Sequence, residues 1–215
     1  RIAAWRKERS LELTRQRRPD LLGPAPGSTP APGGSGAAAG GRLGIVTLRP
    51  ERRGDAEAVE AVHREAFPTP AEARLVALLR ERGDAAVSLL AEAAGRVVGH
   101  VVLSPVTLAE YPTGSEGRGL LALGPVAVTP AWQGRGIGSA LVREAVREAR
   151  DARASAIFVL GDPEFYGRLG FESAAARGYT SDYTDGPAFR VAPLRDPLPA
   201  AGRVRWSPAF ADAGV

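Results

Sequence analysis

The chain has 215 residues, 44% of them apolar and 24% charged, with no cysteine, no methionine and two histidines, which suits one core-bearing soluble domain with an appendage. The missing cysteine excludes disulfides, thiolate metal sites and a cysteine nucleophile, and His63 and His100 lack ligand-like spacing to acidic residues, so no metal is expected. The net charge of +4 lies in residues 1–20, where seven bases meet three acids; the remainder is neutral, which argues against nucleic acid as a partner.

Residues 1–22 read as a basic segment, helical or unstructured, with Trp5, Leu11 and Leu13 but without the continuous apolar run of a signal peptide or a membrane span. Residues 23–42 are Gly, Pro, Ala and Ser without apolar periodicity, a flexible linker. The folded domain is expected over 43–215. Alternation predicts a strand from Leu43 to Arg49, and Ala58, Val59, Val62 and Ala66 predict a helix from Asp55 to Phe67, with His63 at a surface or half-buried position. A second helix is expected over Pro70 to Arg82, stopped by Gly83. Strands Ala86 to Glu92 and Arg96 to Leu108 flank an Ala94-Gly95 hairpin connection, and a polar loop runs from Ala109 to Gly119.

Leu120 to Val128 is continuously apolar, as in a central strand buried on both faces, yet it contains Pro125. Proline cannot donate to a ladder, so the strand is expected to bulge there and to free neighbouring amides. Next comes Gln133-Gly134-Arg135-Gly136-Ile137-Gly138-Ser139, a glycine-rich loop opening a helix from Ile137 to Arg153. Glycines permit left-handed backbone angles, so successive N–H groups can converge on one anion at the positive end of the helix dipole. This predicts a phosphate or pyrophosphate site. Arg143, Arg147 and Arg150 read as a solvated helix face. Ala156 to Leu160 completes a β-α-β unit, Asp162-Pro163 opens a short helix through Leu169, and Phe171 to Ala174, Ala188 to Leu194 and Val204 to Trp206 read as closing strands.

A dinucleotide fold would place Gly-x-Gly-x-x-Gly directly after its first strand. Here Pro130-Ala131-Trp132 intervenes, Ser139 holds the third glycine position, and three strands and two helices come first. A P-loop would need a Gly-Lys-Ser/Thr ending, and the only lysine is Lys7.

The pattern resembles the GNAT superfamily of N-acetyltransferases. Gln133, Gly136 and Gly138 match its Gln/Arg-x-x-Gly-x-Gly/Ala loop after Val126-Ala127-Val128-Thr129-Pro130, and Phe165-Tyr166 with Gly170-Phe171 match its second signature. The resemblance covers about Leu43 to Leu194 and is similar to a bacterial branch of acetyltransferases. It implies an α/β (α+β) fold, a central mixed and mostly antiparallel twisted sheet flanked by helices, with a β-α-β acetyl-CoA-binding core. It further implies transfer of acetyl from acetyl-CoA to a primary amine, a small molecule ahead of a protein or peptide amine, in the cytoplasm, with a homodimer compatible.

In site terms the resemblance implies that the amides of Gly134, Arg135, Gly136, Ile137, Gly138 and Ser139, with Gln133, hold the pyrophosphate. Val126, Ala127 and Val128 would line the pantetheine arm like an added strand. The Val126 N–H becomes the oxyanion donor and Tyr166 the general acid for the thiolate, touching the cofactor; packing is the alternative for Tyr166, with Phe165, Leu169 and Phe171 supplying the core. The strand beside acetyl-CoA carries no ionisable residue. Glu72 is the candidate base, with Glu92, His100, Glu110 and Tyr111 as others. The loop Arg177 to Gly186, bearing Asp182 and Asp185, is expected to help form the acceptor pocket and to suit a cationic amine. A non-catalytic CoA-binding sensor is the alternative from a different class.

Overall fold

The apolar runs assemble into one seven-stranded sheet in the computed structural model, which describes residues 46–109, 119–184, 186–198 and 201–215. The expectations for residues 1–42, the strand start at Leu43, Glu110, Tyr111 and Asp185 lie outside the described residues. In chain order the sheet elements are β1 (Val46–Pro50), β2 (Val87–Ala93), β3 (Arg96–Pro105), β5 (Leu120–Val128), β6 (Ala156–Leu160), β7 (Glu172–Ser173) and β9 (Phe189–Pro193). Their spatial order is β1-β2-β3-β5-β6-β9-β7, and every pairing is antiparallel except β5 with β6. That one parallel pair is the β-α-β unit, crossed by α3 (Ile137–Asp151).

Helices cover both faces. On one face lie α1 (Ala56–Ala66), α2 (Ala71–Glu81) and α5 (Ala209–Ala213), whose Val59, Leu75, Leu79 and Phe210 pack against Leu90, Val102, Ala122 and Phe158 of the sheet. On the other, Ile137, Leu141, Val142 and Ala145 of α3 and the short α4 (Pro163–Gly167) meet Leu89, Val101, Leu103 and Ile157. Each fully buried Leu, Ile or Val on these stripes contributes roughly 1.5–3 kcal/mol, so the helical periodicity decides which way each helix faces. The exposed face of α3 carries Arg147 paired with Glu144, Glu148 and Asp151, beside exposed Arg143 and Arg150.

Two turns rest on positive backbone angles. Ala94 and Gly95, at φ 49° and 72°, close the β2–β3 hairpin in two residues, and Gly83 at φ 72° ends the run of α2.

The structure corrects three local expectations. The long strand from Arg96 stops at Pro105, and β4 (Thr107–Leu108) leaves to form a second sheet, β4-β10-β8, with β10 (Arg203–Arg205) and β8 (Thr180–Ser181). Pro105 lacks the N–H that would continue the ladder. The short helix ends at Gly167, before Leu169. His63 is neither surface nor half-buried: it is fully buried, because its place four residues after Val59 puts it on the apolar stripe of α1.

Candidate active site

The site is built by a strand that parts from its neighbour. Pairing of β5 with β6 covers only Leu120↔Ala156, Leu121↔Ile157 and Ala122↔Phe158, so from Leu123 onward that edge of β5 has no strand partner among the described residues. On the β3 side the register runs Val101↔Val126 and Leu103↔Leu123, one residue more on β5 than on β3. The extra residue falls at Gly124-Pro125, the expected bulge.

Amide direction follows from alternation along the strand. The Thr129 N–H donates to the Val98 carbonyl of β3 at 2.9 Å. Ala127 therefore also faces β3, whereas the N–H and C=O groups of Val126 and Val128 face the free edge. The Val126 and Val128 side chains are half-buried on the α3 side, and Ala127 is buried.

The loop continues from that edge. Gln133 Nε2 donates to the Val128 carbonyl at 2.9 Å, tying the loop to the strand end. Gly134 and Gly136 stand at φ 73° and 79°, left-handed values open to glycine. Residues 133–136 are exposed, Ile137 is buried, and Gly138 and Ser139 are half-buried. Gly136 is the N-cap of α3 without a side-chain cap, and the first intrahelical bond is Ala140 N–H to the Gly136 carbonyl at 2.9 Å. The amides of Ile137, Gly138 and Ser139 thus have no intrahelical acceptor. No acidic residue stands in the first turn of α3 to offset the positive dipole end, and the Arg135 guanidinium lies over the Trp132 ring at 4.8 Å. The donor set fits an extended phosphate-bearing ligand.

The second motif arrives at the same place. A Cβ at Gly138 would lie 3.8 Å from Val128 Cγ2 and 4.0 Å from Phe165 Cζ, so the end of β5, the start of α3 and α4 converge. Asp162 caps α4 by accepting from the Phe165 N–H at 2.6 Å. Tyr166 is the buried residue of α4, at 8% exposure, with Phe165 and Leu169 only half-buried; this corrects the division in which Phe165 and Leu169 formed the core, although Phe171 is buried as expected. The Tyr166 ring meets Phe165 at 4.9 Å and Phe171 at 5.3 Å, edge to face. A methyl at Gly161 would come within 2.2 Å of Tyr166 Cε2, so glycine is what leaves room for the ring. Burial, then the Asp162 charge, pushes the phenol up from its ordinary value, so the hydroxyl stays protonated.

The candidate bases are scattered. Glu72 is half-exposed at the start of α2, accepting from Thr69 Oγ1 at 3.3 Å. Glu92 is held by Arg49 at 2.8 Å on the β1–β2 side. His100 is fully buried, its Nδ1 2.8 Å from His63 Nε2 and its Nε2 2.8 Å from Ser88 Oγ. Sequence reasoning missed His63, Ser88 and Glu51 as a group. The signal available was the apolar stripe of α1, which includes position 63. In the late loop Tyr179 is buried in the core and Asp182 accepts from Arg203 at 3.0 Å, so that carboxylate is already paired.

The buried imidazoles give the fold a pH dependence. Burial, then the neighbouring His100 and Arg80, pushes His63 down to about 3 from an ordinary 6.5. Between those values the unfolded chain binds a proton that the folded chain refuses, so stability is present above pH 6.5 and falls with pH through that window. From pH 8 to pH 5 His63 alone should remove about 2 kcal/mol. Urea unfolding at the two pH values measures it, and equal stabilities would contradict the account.

Comparison with known proteins supplies relatives. The sequence profile of the Acetyltransferase (GNAT) family matches residues 56–171. The uncharacterized N-acetyltransferase YjhQ of Escherichia coli (strain K12) is 37% identical over 134 residues, 61% of this chain and 72% of that protein. The crystal structure of the Escherichia coli GNAT family N-acetyltransferase YhbS in complex with CoA superposes with a TM-score of 0.71 at 32% identity, covering 77% of this chain and 92% of that one. A Brucella melitensis GNAT family acetyltransferase in complex with acetyl-CoA gives 0.65 at 32% identity, covering 77% and 98%.

Proposed function

The chain belongs to the GNAT family of acetyltransferases, and on that premise we propose that it transfers acetyl from acetyl-CoA to a primary amine on a small molecule, by direct attack of the amine on the thioester. It is an acetyl-CoA-dependent N-acetyltransferase. The observation that carries the assignment is the continuity of free donors: the unpaired edge at Val126 and Val128 leads into the uncapped amides of 137–139. A pantetheine arm pairs with the first and a pyrophosphate is held by the second, with Gln133, Gly134, Arg135 and Gly136 shaping the loop and Ala127 backing the strand.

Acetyl-CoA supplies an activated acyl carbon; the chain's residues position it and manage charge and protons. The Val126 N–H, aimed at the free edge beside the Gly124-Pro125 bulge, donates to the carbonyl oxygen as negative charge develops there. Tyr166, kept protonated by burial, donates to the departing sulfur. Glu72, at the start of α2, is the carboxylate in reserve as base. The reaction is placed in the cytoplasm, without nucleic acid or membrane as partner. A homodimer through the closing strands belongs to the same proposal, and sedimentation of the full chain tests it.

Because the chain has no cysteine, a thiol reagent reads released CoA without background from the protein. With acetyl-CoA and, in turn, ethanolamine, spermidine, free lysine and an alanine-initiated peptide, the expected result is thiol release dependent on a small amine. Release with the peptide alone would move the acceptor to proteins; release with none would contradict the proposed transfer.

A further inference from the structure

One hydrogen-bonded chain of polar side chains, fully buried at its two histidines, crosses two strands and ends on a helix. It runs in the order of the sheet, from Glu51 after β1, to Ser88 on β2, to His100 on β3, to His63 on α1. The next strand in that order is β5, where His100 stands across from Ala127 and Val101 across from Val126. Helix α1 packs over both β3 and β5.

The polarity of the chain is fixed by its acidic end. Burial works to raise the Glu51 carboxyl, but the nearby His100 ring, the Ser88 hydroxyl and Arg80 outweigh it and hold the group at about 2, ionised. A carboxylate only accepts, so the single Ser88 hydroxyl proton points to Glu51. Ser88 Oγ must then accept from His100 Nε2–H. Burial keeps both imidazoles neutral, so His100 Nδ1 is a bare acceptor and takes its hydrogen bond from His63 Nε2–H. That leaves His63 Nδ1 with a free lone pair, and it is a fully buried atom without a partner among the described residues. An unpaired buried acceptor is destabilising by itself.

We infer that this chain is the route by which the attacking amine's proton leaves the active-site cleft, with His63 Nδ1 as its entrance and Glu51 as its exit. The inference rests on the acetyl-transfer reading above. As the amine nitrogen bonds to the acyl carbon, its N–H becomes far more acidic, so a weakly basic imidazole suffices to take the proton, which reaches the enclosed His63 Nδ1 by way of an intervening water. His63 Nε2–H then passes to His100 Nδ1, His100 Nε2–H to Ser88 Oγ, and the Ser88 proton to Glu51, which is 11% exposed and releases it to solvent. The carbon–sulfur electron pair leaves with sulfur, which takes the Tyr166 proton; solvent restores that proton to Tyr166. The charged or titratable groups around His63 are His100 on β3, Glu51 after β1 and Arg80 on α2, and β5 contributes none.

The test uses the full chain, acetyl-CoA and whichever small amine the wild type acetylates, comparing His63→Gln, Ser88→Ala and Glu72→Gln between pH 7 and 10. His63→Gln is expected to lower kcat about 100-fold at pH 7 with acetyl-CoA affinity within about twofold of wild type. The deficit should shrink towards pH 10, where hydroxide takes the same proton; a purely structural role gives a deficit independent of pH. Ser88→Ala, a small change that keeps the fold if glutamine at 63 does not, is expected to reproduce the pattern at about tenfold. Wild-type kcat and pH profile in both relay variants overturn the inference alone, as does a pH-dependent deficit confined to Glu72→Gln. No turnover of any amine by the wild type overturns the proposed function, and this inference with it.

Discussion

Gly136→Glu is expected to reduce acetyl-CoA affinity at least about 100-fold while leaving the folded core in place. Gly136 sits at φ 79°, where any side chain adds roughly 1–2 kcal/mol of strain. The larger effect is electrostatic: the carboxylate would occupy the mouth of the uncapped α3 amides, where the anion is to bind. Gly136→Ala separates the two effects. No atom lies within 4 Å of a Cβ built there, so alanine adds strain without steric contact or charge. Calorimetric titration should show alanine weakening acetyl-CoA binding by about tenfold or less and glutamate abolishing measurable heat. Equal affinities for wild type and glutamate would remove the loop from the cofactor site.

Tyr166→Phe is expected to lower kcat about 100-fold with acetyl-CoA affinity nearly unchanged. Phenylalanine keeps the edge-to-face contacts with Phe165 and Phe171 and the fit against Gly161, so only the hydroxyl is lost. The deficit should be smaller for a thioester whose leaving thiol is more acidic, because that thiolate needs the proton less. A variant that retains wild-type kcat, or loses activity only through affinity, would reduce Tyr166 to a packing residue.

Much of this arrangement was legible in the sequence because it depends on local chemistry. Period and punctuation located α1, α2, α3 and the strands around them, and Pro125 announced the bulge beside Val126. The glycine loop was legible for the same reason: φ above zero at Gly134 and Gly136 is a property of those residues themselves. Contacts between distant segments were not legible. Nothing local says that Gln133 braces Val128, that Gly161 makes room for Tyr166, or that Pro105 hands the chain to a second sheet. His63 shows the limit most clearly. A histidine on an apolar stripe reads as half-buried until its partner is known, and His100 lies 37 residues away on another element. The acidic loop expected to suit a cationic amine met the same limit, since the Arg203 that pairs with the exposed Asp182 is distant in sequence.

On the proposed reading acetyl-CoA lies along the free edge of β5 with its phosphates on the amides that open α3. The most direct measurement is amide NMR of the full chain during titration with acetyl-CoA and, separately, with NAD. Saturable shifts concentrated at Val126, Val128 and Gly134 to Ser139 with acetyl-CoA, and none with NAD, are the predicted result. Shifts centred elsewhere, such as the α1–α2 cavity lined by Glu57, Val76 and Arg80, or a loop that answers to NAD instead, would contradict it.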